Sequence, residues 1–183
     1  MARGSGYIAF ISYSHGDNVE RGRKWADWLK REIEKFRIPR DLVGDDTEEG
    51  AVPSRMPEVF LDKSDLPPGG ELNEKLEKAL KQSRFLLVIC SPHSARSHYV
   101  DLEIASFERT HDWRRVILIV IDGDLDPGSD SCWIPERVLE FIPGEGDIEK
   151  RLPLYLDYRT KEKLPDGREF AGKGWARPEK YGA

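Results

Sequence analysis

Cysteine is scarce in this chain of 183 residues, and long hydrophobic runs are absent. Cys90 lies within an apolar run and Cys132 in a polar stretch, so the two cysteines form neither a metal-spaced pair nor a disulfide framework, and we expect no metal site. No run of about 18 apolar residues is available to cross a bilayer. The first residues also lack the apolar stretch of a signal peptide. We therefore expect a cytoplasmic protein without a membrane partner.

Positive charge is not in excess either, because the formal net charge is -5. This balance argues against a nucleic-acid partner. The four histidines are scattered, without the order of a catalytic triad or the spacing of a metal pair. The stretch from Asp122 to Asp126 has the carboxylates of a calcium loop but not its final glutamate, so a turn is the better interpretation.

Five short apolar runs predict the strands of a sheet within one compact domain. The third run has six apolar residues without alternation, which is typical of parallel strands that are covered on both faces. Helical patterns separate the first four runs, and this alternation predicts an α/β fold of three layers. The runs are Tyr7 to Tyr13, Glu58 to Leu61, Phe85 to Cys90, Val116 to Ile121 and Leu152 to Asp157.

The segments between the strands predict four helices and one long loop. Asp17 and Glu20 are spaced as a capping box, so we predict that the first helix begins there and ends before Pro39. Residues 37–57 hold three prolines and an acidic cluster and predict an exposed loop. The other helices are predicted at residues 71–82, 99–110 and 135–141.

The third predicted helix brings a carboxyl group close to the end of the third strand. Val100, Ile104 and Phe107 form its apolar stripe, which leaves Glu103 beside the core and partly shielded. Tyr99 precedes Glu103 by one helical turn. Because parallel sheets bind ligands beyond the carboxyl ends of their strands, we expect the functional site here.

Three groups of motifs resemble those of a known family. In chain order they are Phe10 to Ser14 followed by His15, Gly16 and Asp17, then Val59 to Asp62 with Asp65 to Gly70, then Ser91 and Pro92 with Tyr99 to Glu103. This set resembles a Toll/interleukin-1 receptor (TIR) domain of the bacterial type found fused to other domains. The resemblance covers about residues 7–122, and the last third of the chain matches only loosely.

The resemblance implies a flavodoxin-like fold, with a five-stranded parallel sheet of order 2-1-3-4-5 and helices on both faces. It also suggests how the chain is divided. We expect a disordered amino terminus at residues 1–6, a TIR domain at residues 7–158 and an extension at residues 159–183. No amphipathic helix is predicted after Asp157, so we expect this sequence to be a piece of a longer protein with an additional domain.

Many TIR domains cleave NAD⁺ at the bond between nicotinamide and ribose, and the resemblance implies that activity here, with NAD⁺ as substrate and no separate cofactor. The family's catalytic glutamate corresponds to Glu103. The family more often has Trp and then Cys where this chain has Tyr99 and Val100, a change that keeps an aromatic ring. The expected substrate-binding residues are Ser12, Tyr13, Ser14, Asp62, Lys63 and Tyr99.

Assembly is the second implication of the resemblance, because neighbouring TIR subunits complete the cleft in this family. We expect a homo-oligomer formed through TIR–TIR contacts, in bacterial immune defence or signalling. The family's BB loop, a segment that takes part in assembly and can close over the cleft, corresponds to Asp65, Leu66, Pro67, Pro68, Gly69 and Gly70.

Other functions fit parts of the pattern. A TIR domain can act only as a scaffold through TIR–TIR contact, although Glu103 would then have no purpose. A response-regulator receiver does not fit, because the first strand ends in Ser12 and Ser14 rather than in acidic residues. A nucleoside deoxyribosyltransferase also uses a carboxylate at a glycosidic bond and stays open, as does the choice between a linear and a cyclic product.

Overall fold

The computed structural model describes residues 6–18, 24–47, 50–63, 72–126, 128–141, 152–163 and 169–175. One sheet is built from β1 (Tyr7–Ser12), β2 (Val59–Leu61), β3 (Ser83–Cys90), β4 (Val116–Val120) and β5 (Leu154–Asp157). Its spatial order is β2-β1-β3-β4-β5, and every neighbouring pair is parallel. The flavodoxin-like class and the strand order that the resemblance implied are therefore confirmed.

Helices cover both faces of this sheet, as expected. They are α1 (Trp25–Lys35), α2 (Glu74–Gln82), α3 (His98–Glu108) and α4 (Glu136–Phe141). On one face, Trp25 and Leu29 of α1 pack with Ile11 and Ile89 of the sheet. On the other face, α2, α3 and α4 form a second core, which includes Leu76, Ile104, Val138, Phe10 and Val88.

The start of α3 follows from its capping residue. Ser97 precedes the helix in an extended conformation, and its hydroxyl accepts a hydrogen bond from the amide of Val100 at 3.4 Å. A serine in this place satisfies an amide that has no partner within the helix. Val100, Ile104 and Phe107 are fully buried, as their spacing predicted, and Glu103 is buried with them.

The prediction of a capping box at Asp17 was wrong. Asp17 lies in a short 3₁₀ turn (His15–Asp17), and α1 begins at Trp25 with Lys24 at its N-cap. Glu20 lies outside the described residues. The physical reason is a distant partner, because the carboxylate of Asp17 accepts a hydrogen bond from Ser91 and is buried there.

The remaining connections contain little regular secondary structure. The excursion at residues 37–57 is largely exposed, as predicted, and contains a small antiparallel pair, Asp46–Thr47 with Gly50–Ala51. After β5, the strand Arg159–Lys163 pairs antiparallel with the strand Glu169–Trp175. The sequence predicted no amphipathic helix in this part of the chain. The proposed division of the chain near residue 158 stays a prediction.

Candidate active site

The carboxyl ends of β1, β2 and β3 meet around a cleft. β1 and β3 are neighbours in the sheet, and the chain leaves them for α1 on one face and α3 on the other. A crevice opens at such a point, and α/β sheets bind their ligands there. The cleft has a volume of ≈ 170 Å³ and is lined by Tyr13, Ser14, His15, Asp62, Ser97, Tyr99 and Glu103.

Glu103 lies in the wall of this cleft. Its side chain comes from the second turn of α3, and the residue is only 7% exposed. Ser12, the last residue of β1, donates its hydroxyl to Oε2 of Glu103 at 2.6 Å. This distance is typical of a strong hydrogen bond from a hydroxyl to a carboxylate. The two residues that the sequence placed at one sheet edge are thus in direct contact, but Ser12, which was expected to bind the substrate, is fully buried against Glu103 and does not line the cleft.

Burial changes the protonation of this carboxyl group. The pKa of Glu103 rises from 4.5 to about 8, chiefly because burial penalises the charged form. The hydrogen bond from Ser12 lowers the pKa, and the nearby charge of Asp62 raises it. At pH 7 the group therefore favours its protonated form unless a positive charge lies beside it.

Tyr13 and Asp62 join two strand ends at the same cleft. The phenol of Tyr13 donates to the backbone oxygen of Asp62 at 2.7 Å, which ties the end of β1 to the end of β2. The ring of Tyr13 lies against the imidazole of His15, with their centroids 5.5 Å apart. Both predicted residues therefore lie in the cleft, with Tyr13 as a fixed aromatic wall.

Tyr99 and Ser14 also lie where the sequence placed them. Tyr99 is half-buried in the first turn of α3, and Ser14 is half-buried after β1. His15 and Ser97 line the cleft as well, although neither was predicted as a site residue. The sequence feature that indicates His15 is its position next to Ser14 at a strand end, since it belongs to no triad or metal pair.

Lys63 was expected to reach into the site, but it faces a neighbouring hollow. Its ammonium group forms an ion pair with Asp27 of α1, and this hydrogen bond holds the pKa of Asp27 below its usual value. The hollow has a volume of ≈ 250 Å³ and is lined by Tyr13, His15, Asn18 and Lys63. It shares Tyr13 and His15 with the Glu103 cleft, so the two spaces adjoin.

The BB-loop residues that were expected to take part in assembly lie outside the described residues. These are Asp65, Leu66, Pro67, Pro68, Gly69 and Gly70. Asp62 and Lys63, at the end of β2, are the last described residues before this segment. The predicted roles of the segment in assembly and in covering the cleft stay predictions.

Groups suited to holding a metal ion do not occur among the described residues. The carboxylate of Asp122 accepts from the amide of Gly123, and that of Asp124 accepts from the amides of Leu125 and Asp126. These contacts are those of a turn.

Both cysteines are free thiols, with Cys90 buried in β3. Across the described ranges, no helix combines the length and the apolar character that a membrane span requires.

Comparison with known proteins identifies the family of the chain. Residues 54–161 match the family profile of the TIR domain. The match covers more than half of the chain, and the chain therefore belongs to the TIR-domain family. The interpretation of the sequence motifs as those of a TIR domain is confirmed.

The chain is also similar to two known proteins. It is 31% identical over 163 residues to a protein of an Actinoplanes species named NAD(+) hydrolase ApTIR. That alignment covers 84% of this chain and 19% of the relative, so the chain spans about a fifth of the relative's length. The TIR domains of the activated Roq1 resistosome, which directly recognises the pathogen effector XopQ, share 22% identity with a TM-score of 0.45, over 65% of this chain and 60% of that one.

Proposed function

We propose that this TIR domain cleaves NAD⁺ at the bond between nicotinamide and ribose. The observation that carries the proposal is the Glu103 carboxyl group, which is buried in the wall of a cleft at the switch point of the sheet and held by the Ser12 hydroxyl at 2.6 Å. The likeness to a protein named NAD(+) hydrolase supports the same activity.

The chemistry of the bond explains why a carboxylate suits this place. Nicotinamide leaves NAD⁺ as a neutral base, so the reaction needs no strong general acid. The ribose carbon becomes positively charged as the bond breaks, as in other glycosidic cleavages. A negative charge that is already in position stabilises this developing charge, and it does so most strongly where water is excluded. Glu103 is the buried carboxyl group that the cleft supplies.

The raised pKa of Glu103 is compatible with this role because the substrate is itself a cation. The positively charged nicotinamide ring, brought next to Glu103, favours the ionised carboxylate and lowers its pKa. Binding of NAD⁺ would therefore release a proton from Glu103 near neutral pH, where its pKa without the substrate is about 8. The negative charge then forms where the reaction needs it.

The other residues around the cleft fit the nicotinamide riboside part of the substrate and its phosphates. Tyr99 offers a ring for stacking on the nicotinamide, and Ser14 and Asp62 offer oxygen atoms to the ribose. The adjoining hollow, which Lys63 lines, offers a positive charge to the two phosphates.

Assembly belongs to the proposal for a geometric reason. The part of the cleft that the described residues form has ≈ 170 Å³, whereas ligand pockets commonly have roughly 300 to 1,000 Å³. A dinucleotide would therefore need walls from a neighbouring subunit or from the BB loop. We propose a homo-oligomer that is active when assembled, in bacterial defence or signalling, as one part of a larger protein. Its product is linear or cyclic ADP-ribose.

A rate measurement tests the proposal. The protein would be clustered by fusion to a tetrameric coiled coil, and nicotinamide released from NAD⁺ would be separated by chromatography. Release should be measurable, and Glu103→Ala should lower it by about 10²- to 10³-fold. Glu108→Ala, an exposed glutamate on the same helix, serves as the matched control and should retain activity. A clustered protein that leaves NAD⁺ intact would favour the scaffold function.

A further inference from the structure

Two loops contribute residues to the lining of the cleft, and a buried carboxyl group joins the two loops. The first loop follows β1 and carries Ser14 and His15, whereas the second follows β3 and leads into α3. Asp17 lies in the first loop and is fully buried. Its Oδ2 accepts a hydrogen bond from the hydroxyl of Ser91, in the second loop, at 2.7 Å.

Ser91 is a fixed point because its own turn is closed by hydrogen bonds. The Ser91 hydroxyl oxygen accepts from the amides of His93 at 3.1 Å and Ser94 at 3.0 Å. The Ser94 hydroxyl in turn accepts from the amide of Ser91 at 2.9 Å. With its oxygen occupied by two amides, the Ser91 hydroxyl has its proton left for Asp17. The carboxylate of Asp17 therefore binds a turn that is already ordered.

The first loop is held equally closely. The amide of Asp17 donates to the backbone oxygen of Ser14 at 2.9 Å, which couples Asp17 to the cleft wall. Gly16 lies against the ring of His93, so that a Cβ at Gly16 would come within 3.0 Å of the ring's Cγ. The contact of Gly16 and the hydrogen bond of Asp17 both lie between the two loops.

The buried carboxyl group of Asp17 stabilises the core less than an apolar residue would in its place. Its Oδ1 is buried and has no hydrogen-bond partner among the described residues. Burying half of a carboxyl group without a partner costs free energy, and an apolar residue would avoid this cost. Burial accordingly raises the pKa of Asp17 to about 6.

We propose that Asp17 is a positioning residue, whose hydrogen bond to Ser91 sets the width of the cleft and keeps Glu103 buried against Ser12. Where it concerns catalysis, this inference rests on the proposed NAD⁺ cleavage. The effect on Glu103 itself does not, because it is a property of the protein without substrate.

The test follows the titration of Glu103 by ¹³C NMR of its carboxyl carbon. In Asp17→Ala the loops separate, water reaches Glu103, and its pKa should fall by about one unit or more. Asp17→Asn keeps an oxygen that accepts from Ser91 and should leave the pKa of Glu103 close to its wild-type value. Asp112→Ala is the matched control, because the carboxylate of Asp112 also accepts a hydrogen bond, from the amide of Arg114, but lies before β4, at the amino edge of the sheet.

A second pair of variants separates the loops without touching the carboxylate, in case Asp17→Ala does not fold. Gly16→Ala introduces a methyl group against His93 and should lower the pKa of Glu103 in the same direction. The double variant Gly16→Ala, His93→Ala removes the obstacle and should restore it. An unchanged Glu103 titration in Asp17→Ala and in Gly16→Ala would overturn the inference.

Kinetics then separate this inference from the proposed function. In clustered protein, Asp17→Ala should ionise more of Glu103 yet lower kcat for nicotinamide release by about ten- to a hundredfold, because the carboxylate is no longer held in place or shielded from water, and Asp17→Asn should recover most of the loss. If Glu103 titrates as expected but NAD⁺ is not cleaved, only the proposed function fails. If NAD⁺ is cleaved and kcat and the Glu103 titration are the same in Asp17→Ala as in wild type, only the positioning role fails.

Discussion

The hydroxyl of Ser12 lies 2.6 Å from Oε2 of Glu103, across 91 positions of the chain. This bond joins the last residue of β1 to a helix that follows β3, and both residues are buried. It is therefore the contact through which the sheet orients the proposed catalytic carboxyl group.

Replacing Ser12 by alanine should lower activity most at neutral pH. The Ser12 hydrogen bond lowers the pKa of Glu103, so its loss should raise that pKa and reduce the ionised fraction. A hydrogen bond to a charged group is worth about 1.5 to 3 kcal/mol, which corresponds to roughly ten- to a hundredfold in rate. Nicotinamide release between pH 6 and 9 measures the effect, which should shrink towards pH 9.

Ser14→Ala is the control for this experiment. Ser14 lines the same cleft, but the described structure shows no hydrogen bond between its side chain and Glu103. The variant should leave the pH dependence at its wild-type position, whatever its effect on NAD⁺ binding. Parallel pH profiles for Ser12→Ala and Ser14→Ala would contradict the role given to the Ser12 hydroxyl.

Replacing Glu103 by glutamine should stabilise the fold above about pH 5. The folded pKa of Glu103 is about 8 and its ordinary value is 4.5, so the folded protein keeps a proton that the unfolded chain releases. The stability that this proton supplies is complete below pH 4.5 and is lost as pH rises towards 8. Glutamine is always neutral and keeps an oxygen for Ser12.

Denaturant unfolding at pH 5 and at pH 8 measures this difference. The advantage of Glu103→Gln over wild type should grow between the two values by at most about 4 kcal/mol, since one pKa unit corresponds to about 1.4 kcal/mol. The buried Asp17 is present in both proteins, so its own titration cancels in the comparison. Equal pH dependence of the two proteins would show that Glu103 titrates at its ordinary value.

Lys63→Ala should weaken NAD⁺ binding rather than slow the chemical step. Lys63 lines the hollow beside the cleft, where its charge is paired with Asp27 at the surface. An exposed ion pair is worth up to about 1 kcal/mol, so KM should rise by roughly fivefold with little change in kcat. The rise should be smaller at high salt, because salt screens exposed charges. Lys75→Ala, an exposed lysine on α2, should change neither constant.

Tyr99 should be replaceable by another flat aromatic residue but not by alanine. Its ring lies in the cleft wall one helical turn before Glu103, where it can stack on the nicotinamide. Stacking of this kind is worth about 0.5 to 1.5 kcal/mol, so Tyr99→Ala should raise KM by roughly three- to tenfold. Tyr99→Trp should keep KM close to the wild-type value. Equal KM values in all three proteins would remove Tyr99 from the substrate site.

Hydrophobic pattern was sufficient to predict the strands and the position of Glu103, whereas the order of the strands came from the family resemblance. All five apolar runs form strands, and the stripe of Val100, Ile104 and Phe107 is buried as its spacing required. These features follow from local periodicity, because an apolar stripe must face the core. Once α3 follows β3, Glu103 must lie at the carboxyl edge of the sheet.

Side chains in the loops were not predictable in the same way. Asp17 looked like a helix cap, but its carboxylate is engaged by Ser91, 74 positions away. Lys63 was expected in the cleft, but it pairs with Asp27, 36 positions earlier in the chain. A polar side chain beyond a strand end forms its hydrogen bond or ion pair with whichever partner the fold brings near. The local sequence pattern does not identify that partner.

The central claim is that the positively charged end of NAD⁺ lies against the buried carboxyl group of Glu103. The titration of that group by ¹³C NMR, with and without a carbocyclic NAD⁺ analogue whose nicotinamide cannot leave, tests it most directly. Without the analogue the pKa should be about 8. With saturating analogue on the clustered protein it should fall by about one unit or more. A Glu103 that titrates near 4.5 alone, or that does not respond to the analogue, would contradict the claim.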